Sequence, residues 1–160
     1  MNQYFINSKN GKLNILEGGE IVEPKGIIIN VHGVGSHFQH VFSNLDEFSS
    51  RDNWFNKFNY KSFAFEFHGH GKSDGTECFI TNIDDLLDDL DTVISHINQK
   101  IPNKKIFICA ESMGGAIILK YLIKRINDRI NGVILLSPLC GIDEHLHALQ
   151  RANLEYFFVE

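Results

Sequence analysis

Proline is scarce, 3 residues in 160, and no repeat, low-complexity block or Pro/Gly-rich stretch divides the chain. Linkers and disordered segments draw on such compositions, so one continuous folded domain is expected. Cysteine is equally sparse. Cys78, Cys109 and Cys140 are far apart, odd in number, and make none of the close pairs that zinc sites or disulfide frameworks use. They read as reduced thiols of a cytoplasmic protein. Nowhere do 18 apolar residues run together, and the opening MNQYFINSKNGKLN lacks an apolar h-region and a small-residue cleavage site. Neither a membrane span nor an export signal is expected. Basic residues are outnumbered, 15 Lys+Arg against 20 Asp+Glu for a net charge of -5. That balance excludes a polyanion-binding footprint built on bulk charge, and no nucleic-acid partner is expected.

What the chain does have is 43% hydrophobic and 22% charged residues, the balance of a globular domain. At this length roughly 70% of the unfolded chain's surface can be buried, enough for one core. Strand-like and helix-like runs alternate, which predicts the α/β class: a β-hairpin leading into a mostly parallel sheet with helices on both faces. QYFIN and KLNIL flank Ser8-Lys9-Asn10-Gly11, where Asn-Gly supplies the positive φ angles of a tight hairpin turn. Four more strands are expected near 26–33 (GIIINVHG), 62–69 (SFAFEFHG), 105–112 (KIFICAES) and 132–139 (GVILLSPL). Their near-continuous apolar character is that of strands covered on both faces. A helix is expected from about Thr81 to Lys100. Thr81 and Asp84 stand at capping-box-like spacing, and Ile83, Leu86, Leu87, Leu90, Val93, Ile94 and Ile97 form one stripe. Asp84, Asp85, Asp88, Asp89 and Asp91 are assigned to its other face. Carboxylates at this spacing mark a solvated acidic face more often than a metal site, so no metal ligands are proposed.

The chemistry concentrates in IFICAESMGGAIILKYL. An apolar strand runs straight into Ser112 and an apolar-periodic helix follows at once. Ala110-x-Ser112-x-Gly114 has the pattern of a nucleophile elbow, a sharp strand-to-helix turn that tolerates only small neighbours and pushes the serine hydroxyl out at the carboxyl end of a sheet. The N–H of Met113, at the helix N-terminus, can then meet a developing oxyanion. The plainer alternative is an ordinary turn with a capping serine. His32-Gly33-Val34-Gly35 closes the third strand, and the N–H of Val34 is the candidate for a second oxyanion donor. His32 reads as a brace for the loop it begins rather than as a base. His68-Gly69-His70-Gly71-Lys72-Ser73-Asp74-Gly75 ends the next strand; without the Gly-x-Gly-x-x-Gly spacing it reads as turn chemistry, not phosphate binding.

HGVG, GHGKS and AESMGG, in this order, resemble the serine hydrolases of the α/β-hydrolase superfamily. The branch they are most similar to is that of the monoacylglycerol lipases and lysophospholipases, of serine aminopeptidase S33 type. ESMGG before an apolar helix, the acidic LLDDLD helix, and SPLC after the sixth strand look most like the plant-type monoacylglycerol lipases. The resemblance spans roughly residues 1 to 145. It implies hydrolysis of a carboxylic ester such as monoacylglycerol or lysophospholipid, with Ser112 as nucleophile, Val34 and Met113 as oxyanion hole, and no cofactor. A lipid or small ester is the implied substrate, with peripheral membrane contact where the substrate is a lipid.

The family's general base and its orienting acid follow the seventh and eighth strands, beyond what these residues match. On this reading residues 1–160 form a single incomplete α/β-hydrolase domain, with 1–140 as core sheet and 141–160 as the start of the lid region. The lid would be represented by one helix from Asp143 to Phe158. An internal substitute built from Asp143, His145 and His147 is disfavoured, because positions two apart do not share a helix face. His37 and His40 read as solvent-facing or capping, His68 stands where the family often carries Arg, and His70 fits its usual turn. Val133 to Leu136 would form an exposed apolar edge, an association hazard. Three functions remain open: a serine hydrolase completed by a second chain that supplies the missing half, a catalytically inactive remnant that binds lipid or protein, and an interaction protein pairing through its sheet edge.

Overall fold

The chain is described by a computed structural model that places residues 2–19, 21–36, 55–125 and 129–140. Lys9 and Asn10 turn β1 (Asn2–Ser8) back onto β2 (Gly11–Glu17), with Ser8 opposite Gly11. Gly11 takes a positive φ of 120° but Asn10 does not, so the turn falls one residue before the expected Asn-Gly pair. Four parallel strands follow, β3 (Gly26–Val31), β4 (Tyr60–Phe65), β5 (Lys105–Glu111) and β6 (Ile130–Leu136). Their order across the sheet is β1-β2-β4-β3-β5-β6, with β2 antiparallel to β4. This is the expected hairpin leading into a mostly parallel α/β sheet. β4 begins and ends earlier than its apolar run implies. Past Phe65 the amides of Phe67 and His68 turn to side-chain acceptors on His32 and Asp89 instead of a neighbouring strand.

Helix α1 (Ile83–Lys100) buries Leu86, Leu87, Leu90, Val93, Ile94 and Ile97 completely, as its stripe requires. Full burial contributes roughly 1.5–3 kcal/mol for each such side chain. Its cap is Asn82, whose Oδ1 accepts from Asp84 N–H at 3.0 Å, so the expected Thr81 cap moves by one residue. The acidic face is not uniformly solvated either. Asp89 is fully buried, while Asp88 and Asp91 bind Arg125, and Asp84 binds Lys124. Both cations cap the far end of α2 (Met113–Lys124), so these carboxylates tie the two helices together.

The main core lies between α1, α2 and one face of the sheet, where Ile27, Ile29, Phe63, Phe65, Ile106 and Ile108 are buried. The opposite face holds a smaller cluster of Ile28, Phe55 and Cys109, and an open apolar cavity of about 280 Å³ bordered by Tyr60, Phe107 and Ile134. Phe107 precedes Ser112 by five residues, which along a strand is about 16 Å. The cavity is therefore remote from the chemistry of the elbow. Among the described residues no strand pairs with the outer side of β6, and Ile134 there is 46% exposed. No described helix is long and apolar enough to cross a membrane. The lid helix expected over 143–158, and with it Asp143, His145 and His147, lies outside the described residues, as do His37 and His40.

Candidate active site

Strand β5 ends at Glu111 and α2 begins at Met113, so Ser112 alone makes the turn. Its backbone adopts φ 49°, ψ -116°, a conformation that L residues avoid unless their surroundings enforce it. The enforcement is visible on both sides. Ser112 N–H donates to Leu136 O at 3.0 Å, and the Ser112 carbonyl accepts from Gly115 N–H and Leu139 N–H, each at 3.0 Å. Two glycines clear the space. A Cβ on Gly114 would lie 2.6 Å from the carbonyl oxygen of His32, and one on Gly115 would lie 2.7 Å from Pro138 Cβ. The sequence fragments SMGG and SPL are thus two sides of one packing contact. Ser112 occupies the N-cap position of α2, yet its side chain caps nothing, which sets aside the reading as an ordinary capping serine.

Gly33 faces this turn. A Cβ built on it would stand 3.2 Å from Ser112 Cβ and 3.7 Å from Oγ. The loop 33–36 closes with Ser36 N–H on Gly33 O at 3.3 Å, and Gly35 takes the left-handed φ of 61° that this turn needs. His32 sits buried beneath it. Its Nδ1 lies 2.7 Å from Gly33 O and its Nε2 lies 3.2 Å from Phe67 N. A carbonyl only accepts and a backbone amide only donates, so the ring is the neutral tautomer with its proton on Nδ1. Both nitrogens are thereby engaged, and His32 braces the loop rather than serving as a base. The brace has a direction. In a trans peptide the N–H points opposite to the C=O, so pinning Gly33 C=O aims the N–H of Val34 the other way. The N–H of Met113 lies in the first turn of α2, where no intrahelical acceptor exists.

The turn 68–75 is a support whose first three residues, His68 to His70, are buried, while Gly71, Lys72, Asp74 and Gly75 are exposed. Gly69, Gly71 and Gly75 all have positive φ, and the carboxyl of Glu66 packs directly under Gly71. Glu66 accepts from Lys72 N–H at 2.7 Å and from Asn14 Nδ2 at 2.8 Å, so backbone and side chains of this chain fill the turn. His68 Nδ1 meets Asp89 Oδ2 at 2.6 Å, and this hydrogen bond raises the His68 pKa above its ordinary 6.5 against the effect of burial. Burial lowers that of His70, whose Nδ1–H donates to His68 O at 3.1 Å and whose ring lies 5.0 Å from that of His32.

The structure thus gathers Ser112, Met113 and the Gly33–Val34 peptide at the carboxyl end of β3 and β5. Among the described residues no imidazole or carboxylate hydrogen-bonds Ser112 Oγ, and no group of three or more His, Cys, Asp or Glu is arranged to hold a metal. Asp89 is the residue that sequence reasoning misplaced. It stands three residues after Leu86 and four before Val93, at the margin of the apolar stripe, and that spacing was the available signal.

The sequence signature described as "Serine aminopeptidase, S33" matches residues 22–158. The chain belongs to that family. Among curated relatives it is 29% identical over 150 residues to the caffeoylshikimate esterase of Arabidopsis thaliana, covering 89% of this chain and 42% of that one. It is 28% identical over 116 residues to the monoglyceride lipase of Rattus norvegicus, covering 72% and 36%. A Paleococcus ferrophilus monoacylglycerol lipase superposes with a TM-score of 0.67 at 23% identity, over 97% of this chain and 50% of the other. A carboxyl esterase from Bacillus coagulans does so with a TM-score of 0.69 at 22% identity, over 84% and 43%. The shared fold is the α/β-hydrolase fold, represented here by its N-terminal part. The chain spans less than half the length of the curated relatives named.

Proposed function

We propose that this chain contributes the nucleophile and oxyanion hole of a serine hydrolase acting on carboxylic esters of the monoacylglycerol or lysophospholipid class. The observation that carries the reading is the strained backbone of Ser112, which holds beside the Gly33 loop a hydroxyl that caps nothing. In this reading Ser112 Oγ attacks the ester carbonyl carbon while the carbonyl oxygen takes up negative charge. The N–H groups of Val34 and Met113 receive that charge from opposite sides, and such preorganised donors are worth about 3 kcal/mol each in acyl transfer. The alcohol leaves, and water resolves the acyl-enzyme.

In acylation a base takes the Ser112 proton and gives it to the leaving alcohol, and in deacylation it takes a proton from water and gives it to Ser112. The catalytic His and acid that would do this are assigned to polypeptide outside these 160 residues. Without them a hydrolase retains roughly 10³–10⁴-fold acceleration over water. Cys78, Cys109 and Cys140 form no disulfide among the described residues, in keeping with a reading of the protein as one of a reducing, cytoplasmic setting. Hydrolysis of a short activated ester, measured with and without Ser112→Ala, together with fluorophosphonate labelling, tests the proposal. The lone chain is expected to turn over slowly, label slowly and lose little on Ser112→Ala. Adding a polypeptide with the late Asp and His is expected to restore a Ser112-dependent rate, roughly 10³-fold or more. Rapid labelling of the lone chain would place a base within it, and His37, His145 and His147 would be the first to mutate. No labelling in the completed assembly would favour the second reading, a silent lipid- or protein-binding module.

A further inference from the structure

We propose that Asp89 on α1 is a positioning residue for the oxyanion loop, acting through the main chain of Phe67 and His68 upon His32. The proposal rests on the reading of Val34 N–H as an oxyanion donor.

Asp89 is fully buried and its two oxygens serve different neighbours. Oδ1 accepts from the hairpin tip, from Ser8 Oγ at 3.2 Å and Asn10 Nδ2 at 3.4 Å. Among the described residues Oδ2 accepts from His68 alone, from its backbone N–H at 3.1 Å and from Nδ1 at 2.6 Å. The amide just before it, Phe67 N–H, donates to His32 Nε2 at 3.2 Å, and His32 Nδ1–H donates to Gly33 O at 2.7 Å. Consecutive amides of one short segment therefore connect a buried carboxylate to the ring that orients the Gly33–Val34 peptide. The segment has already left the ladder of β4, which ends at Phe65, so sheet pairing does not fix it. Within the turn Phe67 O accepts from His70 N–H at 3.0 Å and His68 O from His70 Nδ1–H at 3.1 Å. The described polar contacts that lead from these two residues to other elements are the Asp89 bonds on one side and the His32 ring on the other. Phe67 packs its ring edge-on against that of His32 at 5.2 Å, so a shift of the segment moves the imidazole as well as its acceptor bond. A buried carboxylate bond is strong enough to set such a position, because hydrogen bonds to ionised groups are about twice as strong as neutral ones.

The two-sided use of the carboxylate supplies the control. Ser8→Ala removes a donor from Oδ1 and loosens the hairpin while leaving the His68 side intact. Asp89→Asn weakens both. The readouts are the His32 tautomer, from long-range ¹H–¹⁵N correlations, and hydrogen exchange of the Phe67 and Ser36 amides, in the 160-residue chain. Wild type and Ser8→Ala are expected to show a single Nδ1–H tautomer. Asp89→Asn is expected to mix tautomers and to speed exchange of both amides about tenfold relative to Ser8→Ala, the scale of one lost hydrogen bond to a charged group. Equal exchange and an unchanged tautomer in Asp89→Asn and Ser8→Ala would overturn the proposal. If Asp89→Asn does not fold, His68→Ala decides. It removes one of the two bonds to Oδ2 and must still speed both amides beyond Ser8→Ala, and equality there overturns the proposal too. No ester enters these measurements. A negative result here therefore counts against the relay, whereas a failure of Val34 as an oxyanion donor shows only in the hydrolysis assay.

Discussion

Gly33 and Ser112 close on one another across the carboxyl end of the sheet, with only 3.2 Å between Ser112 Cβ and the position a Cβ on Gly33 would take. This proximity joins two motifs 79 residues apart in the chain (112 − 33) into one site. It also leaves little room, and the glycines around it differ in why they are needed.

Gly114→Ala places a Cβ 2.6 Å from His32 O and 2.8 Å from Val31 O, both backbone atoms that cannot swing aside. A loss of about 1–3 kcal/mol is expected, as for other overpacked sites. Gly35→Ala meets no atom of the described residues within 4 Å and suffers its φ of 61°, a penalty of about 1–2 kcal/mol. Urea midpoints read both. Fluorophosphonate labelling in the completed assembly should separate them, since only Gly114→Ala also displaces Ser112.

Ser112 holds a conformation that glycine adopts without penalty. Ser112→Gly is therefore expected to be more stable than Ser112→Ala, by about 1 kcal/mol, because alanine keeps the strain and glycine releases it. Equal urea midpoints for the two variants would show that the turn is relaxed.

Stability should depend on pH through two histidines of opposite sign. The folded pKa of His68 is raised, chiefly by its hydrogen bond to Asp89, so its contribution is full below the unfolded value near 6.5 and fades as pH rises through the folded value. The folded pKa of His70 is lowered by burial, so its contribution is present above 6.5 and fades as pH falls through the folded value. His68→Gln should flatten the alkaline side of a stability profile between pH 5 and 8, and His70→Gln the acid side. A profile unchanged by His68→Gln would contradict the pairing with Asp89.

The flank of β6 on which no described strand pairs should make the lone chain associate. INGVILL carries no charge to discourage edge pairing, and Ile134 is 46% exposed beside the apolar cavity. Light scattering at micromolar concentration is expected to report oligomers or soluble aggregate, and Ile134→Lys to reduce them. A monodisperse monomer would refute this.

Much of the architecture could be read locally. Ser8-Lys9-Asn10-Gly11 between two strand-like runs announces the hairpin, although only Gly11 takes the positive φ and the turn itself falls on Lys9 and Asn10. Unbroken apolar runs such as GIIINV announce buried parallel strands because both of their faces need cover. The elbow was legible for the same kind of reason: a strand running into Ser-x-Gly-Gly and an apolar helix permits few backbone paths. Other features were not. Periodicity put Asp89 among solvated carboxylates, and only the arrival of Ser8, Asn10 and His68 from segments 21 to 81 residues away makes its burial tolerable. The neutral tautomer of His32 likewise depends on Phe67, 35 residues further along the chain. Local sequence thus sets the strands, the turns and the chemistry-bearing residue types, because these follow from φ, ψ and the spacing of apolar side chains. The charge state, burial and aim of the polar groups were decided by tertiary structure, because a hydrogen bond depends on which distant donor the fold brings within about 3 Å.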